Sequence, residues 1–176
     1  MQVHAVRHGE SEYNLRRLCN DDPARPVHLT ARGRAQAAAV AERLRAKPVD
    51  ALYASPLPRA RETAAIIGER VGCAVTVDDR LADIRSGCEG RPVADYQAAI
   101  AHDPLNARPN GGESLLDYRA RVVGFLAWLK RQPHARVVLV CHEETLRVLR
   151  SEAEGIAPAD ANDLAFANGE IYAFAL

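Results

Sequence analysis

Gln2-Val3-His4-Ala5-Val6-Arg7-His8-Gly9-Glu10 decides how this chain folds. Val3, Ala5 and Val6 form an apolar run that leads directly into Arg7, His8 and Gly9. A short buried strand over residues 2–7 thus delivers a guanidinium and an imidazole to a turn, where Gly9 lets the backbone approach a ligand closely. A second apolar run, Val137-Val138-Leu139-Val140-Cys141, ends on His142 in the same way. Ligands of open α/β sheets bind beyond the carboxyl ends of the strands. Two histidines at two such ends are therefore expected to converge on one site.

Working outward, residues 9–29 read as polar and irregular, with Asn20-Asp21-Asp22-Pro23 and Pro26 as turn signals. Thr30 is an N-cap for a helix from Ala31 to Ala46, whose Ala37, Val40, Ala41 and Leu44 keep helical spacing. Residues 49–54 read as a second strand. Ser55 is expected to cap the next helix, with Pro56 at its first position and an end at Gly72. Residues 74–77 form a third strand. The segment 81–112 is rich in glycine and proline, with one short helix over 93–102, and reads as a small cap facing the substrate. A helix over 113–130, a strand over 136–141, a helix over 144–154 and a last strand over 169–176 complete the chain. Strands interleaved with helices predict an α/β fold: a three-layer α/β/α arrangement around a mainly parallel sheet, in one domain spanning 1–176.

Composition narrows the function. Among 176 residues, 23 basic side chains balance 23 acidic ones. No global charge attracts nucleic acid or an anionic membrane, so a basic site must be a local cluster. The four cysteines, Cys19, Cys73, Cys88 and Cys141, lie far apart without metal-ligand spacing. The N-terminus runs straight into a strand, and no stretch has the length of a membrane span, so a reduced, cytoplasmic protein is expected. Nothing specifies an oligomeric state.

Four ordered blocks carry the chemistry: Arg7-His8-Gly9-Glu10 with Asn14; Ser55-Pro56-Leu57-Pro58-Arg59-Ala60-Arg61-Glu62-Thr63-Ala64; Leu81-Ala82-Asp83 ahead of Glu89-Gly90; and Val140-Cys141-His142. Together they resemble the histidine phosphatase superfamily, which includes the cofactor-dependent phosphoglycerate mutases. The resemblance runs nearly end to end and extends to Leu29-Thr30 with Gly33 and to Gly111-Gly112-Glu113-Ser114. It implies a phosphomonoester hydrolase working through a phosphohistidine on a small phosphorylated metabolite, without metal or cofactor.

The residue chemistry agrees with that expectation. A neutral imidazole is a nucleophile near neutral pH, which fits His8. Arginine forks bind phosphate oxygens, which fits Arg7 and Arg59, the latter reinforced by a helix N-terminus and supported by Thr63 one turn on. Arg61 reads as a solvated charge. The resemblance adds Asn14 as a phosphate contact and His142 as an imidazole donating to a phosphate oxygen. The proton donor stays open. The family usually has Glu where this chain has Asp83, and commonly Gly after the second His, where this chain has Glu143-Glu144. Asp83, Glu143 or Glu144 is the acid, or Glu143 is a helix-opening carboxylate paired with Arg147. Two other functions stay open: a phosphoglycerate-mutase-like transferase, and a weakly catalytic binder of phosphorylated ligands.

Overall fold

Period-two burial sets the sheet. In β1 (Gln2–Arg7) Val3 and Ala5 face one side and Val6 the other; in β4 (Arg136–Cys141) Val137, Leu139 and Cys141 oppose Val138 and Val140. Both strands are apolar on both faces, which requires cover on both. A computed structural model describes residues 1–176 and shows that cover. The order is β1, α1 (Glu12–Arg16), α2 (Ala31–Leu44), β2 (Ala51–Ala54), α3 (Pro58–Val71), β3 (Val75–Val77), α4 (Val93–Ile100), α5 (Leu115–Leu129), β4, α6 (Glu143–Glu154), α7 (Pro158–Ala161) and β5 (Ile171–Ala175). The sheet runs β3-β2-β4-β1-β5, parallel except for β5, which is antiparallel to β1. The α/β class and mainly parallel sheet are as expected.

One core joins α2 and α3 to the face carrying Val6, Val138 and Val140. The other packs Tyr118, Val122, Phe125 and Leu129 of α5 and Leu146 and Leu149 of α6 against Val3, Ala5, Val137 and Leu139. Register then aligns the functional ends. Val6 pairs Val140, which pairs Ala54, so His8, His142 and Ser55 emerge side by side from three adjacent strands.

Two local expectations need correction. The helix after β2 begins at Pro58 rather than Pro56, with Leu57 at the N-cap and no side-chain cap. Ser55 is therefore not its cap. The span 9–29 is not wholly irregular: Ser11 caps α1 with a capping box through Asn14.

The loop after β1 is pinned on the start of α2. A Cβ on Gly33 would lie 2.0 Å from the Glu10 carbonyl oxygen, and one on Gly9 2.3 Å from that of Gly33. Neither backbone has room to retreat, since Thr30 N–H donates to the Glu10 carbonyl at 2.9 Å and Thr30 Oγ1 accepts from Gly33 N–H at 2.9 Å. Gly33→Ala is expected to lower stability by about 1–3 kcal/mol, from overpacking against main chain. Denaturant unfolding of the variant measures it.

Candidate active site

The carboxyl end of the sheet opens into a cavity of about 180 Å³ lined by Arg7, His8, Asn14, Arg59, Asp83, Glu143 and Glu144 among others. Of the catalytic and phosphate-binding residues expected from sequence, all but His142 line it, and His142 lies against His8 with ring centroids 5.2 Å apart. Residues from four distant segments thus share one pocket.

His8 is buried, and its ring is oriented at both nitrogens. Nδ1 lies 2.7 Å from its neighbour's carbonyl at Gly9, and Arg59 Nε donates to Nε2 at 2.9 Å. This sets the tautomer: Nδ1 carries the proton and Nε2 the free lone pair. Burial first, then the charges of Arg59, His142 and Arg7, hold the His8 pKa well below its ordinary value. Thr63 Oγ1, one turn beyond Arg59, accepts from Gly9 N–H at 3.1 Å, so it holds the His8 loop as well as α3.

Arg59 is the node of the site. It is only 4% exposed, although it carries a charge. Besides His8, its Nη2 donates to the Asn20 carbonyl (3.0 Å), to Asp83 Oδ2 (2.8 Å) and towards His142 Nδ1 (3.1 Å), and its Nη1 donates to Asn20 Oδ1. Asp83 Oδ1 accepts from Ile84 N–H at 3.0 Å. Burial pushes the Asp83 carboxyl up despite the opposing pull of Arg59.

His142 is also buried and held neutral by burial, then by the charges of Arg59 and Arg7. Its Nε2 meets Ser55 Oγ at 2.7 Å. With Arg59 Nη2 donating to Nδ1, Nε2 carries the proton and donates to Ser55 Oγ; once an anion draws Arg59 away, the Ser55 hydroxyl can donate to Nε2 instead, and a His142 Nδ1–H then faces the space between Arg59 and His8.

Arg7, expected from sequence as a phosphate clamp, reaches the cavity with its guanidinium already engaged. Its Nη1 is bound by the Phe166 carbonyl and by Glu143 Oε2 at 3.0 Å, while its buried Nε has no partner. Glu143 also accepts from Phe166 N–H at 3.2 Å and faces Arg147 at 3.5 Å. Both of its oxygens are engaged, Oε2 by Arg7 and Oε1 by Arg147 and the Phe166 N–H, the arrangement of a helix-opening carboxylate paired with Arg147. Glu143 thus competes with phosphate for Arg7. Glu143→Gln is expected to tighten competitive inhibition by inorganic phosphate about threefold, read as Ki.

Glu144 lines the cavity with its side chain a quarter exposed and Oε1 on Arg147. Burial, with help from Asp83 and Glu143 and against Arg147, pushes its carboxyl up to about 7. Asn14 directs its Oδ1 to Ser11 and Asn168, leaving its Nδ2 for a ligand. Among the polar side chains in the 81–112 segment, Tyr96 also reaches the cavity; Arg85, Arg91 and Arg108 do not, and pair instead with Glu113, Asp95 and Asp117.

Sequence reasoning missed Asn20 and the second role of Ser55. Both were read as local turn and cap signals, and both bond across long chain separations that no local pattern reveals. Phe166 and Asn168, from the loop before β5, were missed too; Asn168 Nδ2 donates to the His8 carbonyl at 3.0 Å.

Two imidazoles and two guanidiniums around one cavity match a known arrangement. The family model for the histidine phosphatase superfamily (branch 1) matches residues 3–176. The chain belongs to that superfamily. "Probable phosphoglycerate mutase GpmB" of Salmonella choleraesuis is 32% identical over 165 residues, which cover 89% of this chain and 76% of that protein. The α-ribazole phosphatase of Shigella flexneri superposes with a TM-score of 0.88 at 26% identity, over 98% of this chain and 89% of that one. A mycobacterial glucosyl-3-phosphoglycerate phosphatase complexed with VO3 gives 0.83 at 28% identity, over 98% and 90%. Membership in the histidine phosphatase superfamily, with these neighbours, indicates an enzyme of phosphatase or mutase type. No helix is long and apolar enough to cross a membrane.

Proposed function

We propose that this histidine phosphatase superfamily member is a metal-independent phosphomonoester hydrolase that acts through a phosphohistidine at His8 on a small phosphorylated metabolite. One observation carries the reading: a single buried guanidinium, Arg59, touches the His8 lone pair, Asp83 and His142 at once. A phosphate dianion entering the cavity takes over those donors. Its oxygens replace Nε2, Asp83 and Asn20 as acceptors, which frees the His8 lone pair and leaves Asp83 beside new negative charge. That charge raises the Asp83 pKa further, towards the protonated form a general acid needs.

His8 Nε2 then attacks phosphorus in line. The P–N bond forms as the P–O bond to the leaving group breaks, and Asp83 gives its proton to the departing oxygen. Arg7, Arg59, Asn14 and the His142 Nδ1–H hold the three equatorial oxygens, where transition-state charge gathers. Water next attacks phosphorus, the P–N bond breaks, and Asp83 takes the proton from the water. Phosphate leaves and Arg59 returns to its internal partners.

Hydrolysis is preferred over mutase chemistry because the two solved neighbours above are named as phosphatases. Rapid quench with p-nitrophenyl phosphate should trap acid-labile, base-stable phosphate on the protein, and chelators should leave turnover intact. Isomerisation of 3-phosphoglycerate without phosphate release would replace the hydrolase reading with the transferase. The donor is tested by leaving group. Asp83→Asn should slow alkyl phosphates roughly 10²–10⁴-fold, and p-nitrophenyl phosphate far less, because nitrophenolate departs without a proton.

A further inference from the structure

The non-phosphate end of the cavity has a charge pattern that the reaction above does not use. Arg7 and Arg59 are the only basic side chains lining the cavity, and both are committed to the phosphoryl end. Each is already partly neutralised, by Glu143 and by Asp83. Past them the wall carries Asp21 and Glu144 with the rings of Tyr13 and Tyr96. Asp21 places Oδ2 on the Ser86 main-chain N–H and hydroxyl, at 2.6 and 2.5 Å. Glu144 places Oε1 on Arg147. In both carboxylates the second oxygen, Asp21 Oδ1 and Glu144 Oε2, has no partner within the protein.

We infer that the preferred substrate is the phosphomonoester of an ammonium-bearing alcohol, with the cation seated between Glu144, Asp21 and the Tyr96 ring. The inference rests on the phosphatase reading and narrows it. A carboxylate or a second phosphate on the leaving group would meet two carboxylates and no opposing cation, at a Coulombic cost that grows as water leaves the cavity. An ammonium meets two free carboxylate oxygens and the Tyr96 ring, the usual elements of organic-cation recognition. Arg16 and Arg17 line a neighbouring surface depression that shares Tyr13, Asn14, Leu18 and Val93 with the cavity, and the Arg16 guanidinium already lies over the Tyr13 ring, 5.5 Å from its centroid, so the unclaimed ring of the pair is Tyr96. The size agrees: about 180 Å³ is below the roughly 300–1,000 Å³ of drug-sized sites. The electrostatics agree as well. Burial pushes the Tyr96 phenol up and the Glu144 charge adds to it, so the two groups sense each other in the empty cavity. A cation between them restores the ionised carboxylate.

The 176-residue chain tests this with four esters: phosphocholine, its uncharged carbon isostere 3,3-dimethylbutyl phosphate, phosphoglycolate as the anion, and p-nitrophenyl phosphate as control. Phosphocholine should exceed its isostere about tenfold in kcat/KM, and phosphoglycolate should fall below the isostere. Glu144→Gln should shrink the phosphocholine-to-isostere ratio towards one, and Glu144→Lys should raise phosphoglycolate above phosphocholine. The ratio is internal to each preparation, so partial unfolding cancels. Equal rates for phosphocholine and isostere, or a ratio untouched by Glu144→Gln, overturns the substrate class while leaving the hydrolase reading standing, provided the control ester is turned over through His8. Failure of the control ester, with no label on the protein, removes both.

Discussion

His8→Ala is expected to remove turnover by roughly 10⁴-fold or more and to abolish the quench-trapped phosphoprotein, because no other group can form the covalent bond. The fold should survive. His8 is a buried imidazole kept neutral at a cost, and its removal leaves Arg7, Asn14 and Arg59 around the cavity. Vanadate or phosphate binding should therefore persist in the variant, which separates a lost nucleophile from a lost pocket. Labelling that continues in His8→Ala would disprove the assignment. The same imidazole sets the acid limb. Its folded pKa is depressed, so Nε2 stays unprotonated and kcat/KM should hold well below pH 6.5. Stability moves the other way. Between that depressed value and 6.5 the unfolded chain binds protons that buried His8 and His142 do not, so stability falls as pH drops below 6.5. Activity and unfolding free energy measured across pH 5–8 should diverge accordingly.

Arg59→Ala has the second largest expected effect, on both stability and rate. Its loss strands Asp83 as a largely buried carboxylate and removes a partner from Asn20, His8 and His142. Breaking a buried pair from one side costs roughly 3–5 kcal/mol. The rate should fall about 10²–10³-fold from loss of a transition-state donor. Arg59→Lys separates the two effects. It keeps a cation near Asp83 and should recover much of the stability, but a point charge cannot replace a fork that reaches four residues, so the rate should remain low. Removing the charge also releases one cause of His8 and His142 depression, so in Arg59→Ala the acid limb of the residual activity should move to higher pH.

Much of this was legible in the sequence because the signals were local. The alternation in residues 2–7 and the apolar run 136–141 named the central strands and placed two histidines at their ends. Thr30, with Gly33 three residues on, announced the start of α2. The errors share a cause. Ser55-Pro56-Leu57-Pro58 offers two prolines, and a capping serine before the first is the stronger local pattern. The chain uses the second proline, because the Ser55 hydroxyl is drawn away to His142, 87 residues further along the chain. Asn20 looked like a turn residue and is one, yet both of its oxygens hold Arg59. For Glu143 the sequence offered an acid or a partner for Arg147; the contact with Arg7 came only from the geometry. Patterns along a chain report periodicity and capping. They do not report which polar groups meet across the ends of a sheet.

The strand made first has both of its neighbours made last: β1 lies between β4 and β5. During synthesis the segment that carries His8 must therefore wait, unpaired on either side, until residues 136–175 have left the ribosome. Non-local pairing of this kind slows folding and lengthens the exposure of a sticky, two-sided apolar ribbon. The protein should thus lean on chaperones early in its life, and truncations that remove only the final strand should aggregate rather than yield a smaller working enzyme.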